Sequence, residues 1–405
     1  MNRPPSSAAQ SGQWERWIAD ELELVRSSDR HRSRQLVRPL DAVHVEIDGR
    51  RLVNFASNNY LGLTHHPAVI DALREAATSH GAGSGAAALI SGYTPAHASA
   101  EGTLARWKGT QAAVLLPSGY QANLAAVQTI AAIAQGRGGV RFLIDKLCHA
   151  SLIDAVRATG ASFRVFPHNH LTKLERLLGE AGEGTAQAVI TESIYSMDGD
   201  AADLVGLSAL RKRFGFIWLL DEAHATGVYG PSGSGLAAEL GVSDAVDVSV
   251  VTLSKALGAM GGAVCGSSAF CEALVNLGRA FIFSTNIAPA MAAAAEAAMG
   301  VVQREPQRRQ RVRELAARVR ESLAMPGDSP IVPVILGTET AAMAAAFRLR
   351  EWGMLVGAVR PPTVARGSSR LRITLSCEHG DEEVAGLIDA IKSLGRSSLQ
   401  ATGPA

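Results

Sequence analysis

Ile217-Trp218-Leu219-Leu220-Asp221-Glu222-Ala223-His224 is the stretch from which the fold can be read. An apolar run that ends in two acids and a histidine fits a strand buried on both faces of a parallel sheet, its charged residues delivered to the carboxyl edge. A second stretch, Val248-Ser249-Val250-Val251-Thr252-Leu253-Ser254-Lys255-Ala256-Leu257-Gly258, reads the same way. It is a buried strand running into a glycine-bounded turn that carries one amine. In open α/β sheets, ligands sit where the strands finish.

Working outward, residues 112–116 are a short buried strand that ends in Pro117-Ser118-Gly119-Tyr120-Gln121-Ala122-Asn123, the opening of a helix. Free amides and the positive dipole end at such a junction suit a phosphate, with Gly119 and Tyr120 nearest. Residues 141–145, 162–166 and 188–191 are further strands with helices between them. His149 follows the first of these at a strand end, and the acidic loop from Glu192 to Asp200 follows the last. The pattern predicts a mostly parallel central sheet with helices on both faces. Upstream lie an amphipathic helix over residues 14–25, a basic arm over 30–38, and a hairpin turning at Asp48-Gly49. From about Pro289 one long helix rich in Ala, Arg and Glu leads to residues 331–336, a helix over 341–352 and strands near 355–359 and 371–375. These read as a smaller α+β domain. The expected division is residues 1–55, a large domain over 56–290, and a small one over 291–405.

The 405 residues are enough for two such cores, and 47% apolar with 19% charged residues is ordinary for a globular protein. A net charge near +1 gives no reason to expect nucleic acid or an anionic membrane as partner. The arginines of residues 304–320 are interrupted by acids at helical spacing, which fits a solvated helix face. Four scattered cysteines without a C-x-x-C pair fit reduced thiols in a cytosol. No apolar run reaches transmembrane length, and the first residues, with Pro4 and Pro5, read as a loose leader. The tail after Leu394 is expected to fray. A cytoplasmic protein is the expectation.

A lysine and an acid at one sheet edge match what pyridoxal phosphate needs: an amine to bond its aldehyde and a carboxylate to pair with its ring nitrogen. Five motifs in register, covering the chain from about Asn54 to about His379, carry a resemblance. Asp221-Glu222-Ala223-His224, Thr252-Leu253-Ser254-Lys255 and Ser196-Met197-Asp198-Gly199-Asp200 are similar to the cofactor motifs of the α-oxoamine synthases, fold-type I pyridoxal-phosphate transferases. Arg360-Pro361-Pro362-Thr363-Val364 and Arg370-Leu371-Arg372-Ile373-Thr374-Leu375 resemble the biotin-pathway branch of that family.

The resemblance implies roles. Lys255 would bond the cofactor and act as base, Asp221 would hold the ring nitrogen protonated, and His224 would face the phenolic oxygen. His149 would stack on the ring, Ser196 would bond its phenolic side, and Thr252 would contact the phosphate with Gly119 and Tyr120. Ser284 and Thr285 would reach the phosphate of a second copy across a homodimer with shared active sites. For substrates it implies Arg32, Asn58, His149, Thr363 and Arg372. L-alanine would be the amino acid and a pimeloyl thioester, on CoA or an acyl carrier protein, the acyl donor. Arg370 and Arg372 alternate along a strand, so one is expected to face the site and the other away, and the resemblance chooses Arg372. Two departures stand out: Asn59 replaces an acid in Ser57-Asn58-Asn59-Tyr60-Leu61-Gly62-Leu63, and Leu89 stands where relatives are often polar. The rival readings are a sister synthase using glycine or serine with another acyl-CoA, an aminotransferase, and a non-catalytic subunit of the same fold.

Overall fold

The computed structural model describes residues 7–28, 30–182 and 184–400. The leader read at residues 1–6 and the last five residues lie outside them. The helix Ser7–Ser27 opens the described chain. After the basic arm, β1 (Arg38–Pro39), β2 (His44–Ile47) and β3 (Arg50–Asn54) follow. The β2–β3 hairpin turns at Asp48 (φ 53°) and Gly49 (φ 74°), two left-handed positions, the requirement of the tight turn whose twist matches its strands.

The large sheet is built from β4 (Ala112–Leu116), β5 (Val140–Asp145), β6 (Ser162–Phe166), β7 (Ala186–Glu192), β8 (Ile217–Asp221), β9 (Val248–Thr252) and β10 (Gly262–Gly266). Its order is β4-β10-β9-β8-β7-β5-β6. Pairs among β5 to β9 are parallel, and β10 runs antiparallel between β4 and β9. The quoted motif behaves as read: from Trp218 to Asp221 every residue is buried. β10 is the strand that the sequence reading passed over. Its five residues begin and end in glycine, so they read as a continuation of the turn around Gly258, Gly261 and Gly262.

Past Ala288 the expected single helix is two, Pro289–Arg304 and Pro306–Ser322. Pro306 has no N–H to give and its ring disfavours a helical residue before it, so Glu305 leaves the helix and Pro306 starts the next. The chain then forms β11 (Ile331–Gly337), β12 (Met354–Leu355), β13 (Gly357–Val359) and β14 (Ser369–Thr374). β14 lies between β11 and β13. β12 instead adds parallel to β3, so the N-terminal hairpin shares a sheet with the C-terminal part of the chain. The last helix runs from Asp381 to Gln400, past the point where fraying was expected. No helix among the described residues is long and apolar enough to cross a membrane.

Candidate active site

The carboxyl ends of β7, β8 and β9 are adjacent, and Glu192 and Asp221 are paired in register. Beside them opens a cavity of about 240 Å³ whose wall includes Gly119, His149, Asp221, His224, Thr252 and Lys255. Six residues picked from the sequence for one cofactor thus share one wall. Tyr120 lines it too, with its hydroxyl donating to Asp154 Oδ2 at 2.9 Å.

Asp221 is buried. Its Oδ2 accepts from Asn123 Nδ2 at 2.8 Å and its Oδ1 from the Ala223 amide at 2.8 Å. Asn123 Nδ2 also donates to Ser151 Oγ at 2.9 Å, and Ser151 Oγ lies 2.8 Å from His149 Nδ1. The Ser151 amide donates to that same nitrogen, which leaves the neutral His149 proton on Nε2. Burial holds the His149 imidazole below its ordinary range, so it is neutral near pH 7. Glu192 accepts from the His149 amide. Burial and then the Asp221 charge push the Glu192 carboxyl up, while burial pulls the Lys255 ammonium down against the attraction of Asp221 and Glu192. Lys255 Nζ is 2.9 Å from His224 Nε2.

The N-terminus of the helix Gly119–Ala134 closes the other end. Ser118 caps it by accepting from the Gln121 amide at 3.2 Å, leaving the Gly119 and Tyr120 amides to their surroundings. Backbone is packed tightly here. A Cβ on Gly262 would lie 2.6 Å from Gly119 N, and one on Gly119 would lie 3.3 Å from Thr252 Oγ1. Only glycine lets β10 and the helix end approach so closely.

Arg372 reaches the region from β14. Its Nε donates to the Ser196 carbonyl at 2.6 Å and its Nη1 to Asn58 Oδ1 at 3.1 Å. Ser196 therefore enters through its backbone and is not on the cavity wall. The expectation that Arg370 faces away needs correction. Side chains alternate between neighbours, so residues two apart share a face. Arg370 donates to Asp198 Oδ1 at 2.6 Å and to the Met197 carbonyl at 3.1 Å, on the same loop that Arg372 meets. What separates the two arginines is that Asp198 pairs with Arg370.

The remaining predicted residues are further out. Ser284 Oγ accepts from Gln121 Nε2 at 3.0 Å, beside the helix mouth, and Thr285 bridges to Ala87. Both stand outside the cavity of this chain. Thr363 is exposed, in a turn closed by its amide on the Arg360 carbonyl at 3.1 Å. Arg32 meets that segment, donating to the Pro361 carbonyl at 3.3 Å across 329 positions. Asn59 is a structural staple: its Nδ2 donates to Thr64 Oγ1 at 2.8 Å and to the Ala42 carbonyl at 3.4 Å. Leu89 is half exposed in a wide helical turn, residues Ala88–Gly92.

Sequence reading missed Asn123, Ser151, Glu192 and Tyr60 as parts of the site. Asn123 stands one helical turn from Gly119, and Ser151 two residues after His149, signals that gain meaning only once the strand ends are adjacent. Among the described residues no group of side chains could hold a metal ion.

The residues present fit pyridoxal phosphate. The donor set supplies one amine, two buried acids (Asp221 and Glu192) and a helix mouth under a glycine cradle. In addition, Asn123 Oδ1 on the wall is buried with no hydrogen-bond partner among the described residues.

Residues 50–391 match the family model described as Aminotransferase class I and II. A protein of Anaeromyxobacter sp. (strain K) named 8-amino-7-oxononanoate synthase is 44% identical, over 93% of this chain and 95% of its own. The solved Sphingomonas wittichii serine palmitoyltransferase superposes with a TM-score of 0.88 at 30% identity, covering 95% of this chain and 98% of its own. A structure of SPT with PLP gives 0.86 at 27% identity, again over 95% and 98%.

Proposed function

This chain belongs to the aminotransferase class I and II family and to its pyridoxal-phosphate-dependent acyltransferases, the 8-amino-7-oxononanoate synthases, and from that membership we propose that it condenses L-alanine with a pimeloyl thioester. The products are 8-amino-7-oxononanoate, carbon dioxide and the free thiol of CoA or of an acyl carrier protein, a step of biotin biosynthesis. The observation that carries this reading is the single cavity shared by the Lys255 amine, the Asp221 carboxylate and the amides at Gly119.

When bound there, pyridoxal phosphate supplies an aldehyde for amines and a cationic ring that accepts an electron pair. Asp221, fixed by Asn123 and the Ala223 amide, would pair with the ring nitrogen. The Gly119 and Tyr120 amides and Thr252 would hold the phosphate, and His149 would offer the ring a neutral imidazole. Arg372 offers a guanidinium to the alanine carboxylate. Lys255 takes the proton from the alanine Cα. Its burial favours the neutral amine that this requires. Ser284 and Thr285, outside their own cavity, suit contact with a second copy in a homodimer.

The test offers alanine, glycine and serine in turn, each with pimeloyl-CoA and pimeloyl-acyl carrier protein, and follows carbon dioxide release. Alanine with pimeloyl thioester is expected to lead, with Lys255→Ala inactive. The fit to the serine palmitoyltransferase structure favours one alternative, serine with a long acyl chain. Preferential turnover of that pair would replace the pathway assignment.

A further inference from the structure

Tyr60 stands at the middle of an unbroken line of hydrogen bonds that crosses the site. Its hydroxyl lies 2.7 Å from His224 Nδ1 and donates to Asn58 Oδ1 at 3.2 Å. Beyond these, His224 Nε2 meets Lys255 Nζ at 2.9 Å, and Asn58 Oδ1 accepts from Arg372 Nη1 at 3.1 Å. Tyr60 is fully buried and His224 nearly so.

The chemistry of each group fixes the direction of the line. Asn58 Oδ1 is an acceptor only, so the Tyr60 proton points to it and the phenolic oxygen is left to accept. His224 Nδ1 must then carry its proton, and Nε2 presents a lone pair to Lys255. Two shifts agree with this. Burial, then the Lys255, Arg372 and His149 charges, keep His224 well below its ordinary range and so neutral. Burial pushes the Tyr60 hydroxyl up to about 12, against the nearby Arg372, so it keeps its proton.

We infer that Tyr60 is a positioning residue that fixes the tautomer of His224, and through it ties the reacting amine of Lys255 to the carboxylate-binding Arg372. Without the hydroxyl, His224 is free to move its proton to Nε2. That N–H cannot accept from an ammonium but can donate to a neutral amine, so Lys255 loses its proton at lower pH. Asp221 and Glu192, which favour the Lys255 ammonium, and Arg372, which opposes it, are unchanged by the substitution. The inference rests on Lys255 being the reacting amine.

Tyr60→Phe removes one oxygen and keeps the ring, and Asn58→Ala breaks the next link. Both are first checked for folding by circular dichroism. In cofactor-free protein, ¹⁵N spectra of His224 are expected to show the proton on Nδ1 in the wild type and shared between the nitrogens in Tyr60→Phe. The midpoint of Lys255 acylation against pH should fall, corresponding to a change of about threefold to tenfold in its proton affinity, the size of one hydrogen bond. With cofactor, KM for alanine should rise together with a fall in kcat. An unchanged tautomer and acylation midpoint in Tyr60→Phe overturns the proposal. Failure of borohydride to mark Lys255 in the wild-type holoenzyme overturns the underlying reading of the site instead.

Discussion

At the scale of single residues, the candidate site rests on side chains whose protonation is set by burial and by their neighbours. Burial keeps His149 and His224 neutral, and the two donors on Ser151 leave the His149 proton on Nε2. Asn59 shows why a departure from a family pattern has to be judged by its partners. An amide there donates to Thr64 Oγ1 and to the Ala42 carbonyl from a nearly buried position. A carboxylate has no proton to give. Thr64 can turn its hydroxyl towards a carboxylate but the Ala42 carbonyl cannot, so Asn59→Asp is expected to lower stability by about 1–3 kcal/mol, the cost of a buried acceptor facing that carbonyl. Urea unfolding at pH 7 checks this, and an unchanged midpoint would remove Asn59 from the account.

At the scale of elements, what holds the motif at residues 221–224 in place is a contact made outside the cavity wall. Lys108, the last residue of the helix Pro95–Lys108, pairs with Glu222 and donates to the Ser234 carbonyl. Both side chains are almost wholly buried, at 4% and 2% exposure. Glu222 also accepts from the Ala237 amide at 3.1 Å, so one carboxylate ties the helix, the end of β8 and the loop after it. Removing one partner strands the other charge. Lys108→Met is expected to cost about 3–5 kcal/mol, and Lys108→Met with Glu222→Leu to recover part of that. A double-mutant cycle read by chemical denaturation decides it; strict additivity would mean that the pair is not coupled.

At the scale of the whole molecule, the histidines bound the pH range of stability from opposite sides. Burial pulls His168 down, but Asp145 Oδ1 at 3.0 Å and Asp200 Oδ2 at 2.7 Å outweigh it and lift the imidazole to about 10. Its contribution is complete below about pH 6.5, where the unfolded chain also holds the proton, and is lost as pH rises towards 10. His379 behaves in the opposite way. Stacked on Phe55 and buried, it is depressed to about 4, so unfolding is favoured as pH falls from about 6.5 towards 4, as the unfolded chain takes up the proton first. Denaturant midpoints are expected to fall on both sides of neutrality. His168→Gln should flatten the alkaline side and leave the acid side unchanged; an unaltered alkaline fall would assign it elsewhere.

The sequence by itself determined the class of fold and picked out seven of the residues that line the cavity. Buried parallel strands announce themselves as apolar runs ending in polar residues, and the runs that end near Glu192, Asp221 and Thr252 end on the cavity wall. It did not reveal β10, whose five residues carry too little local pattern against flanking glycines, or the break at Pro306. It also put Arg370 and Arg372 on opposite faces, where the two-residue period of a strand places them together. Only the tertiary structure decided the connections that set charge and tautomer: Asn123 to Asp221 across 98 positions, Tyr60 to His224 across 164, and Arg372 to Asn58 across 314. Periodicity records which face of an element is buried. It carries no information about which distant polar group that face will meet, because such a pairing is settled by packing in three dimensions.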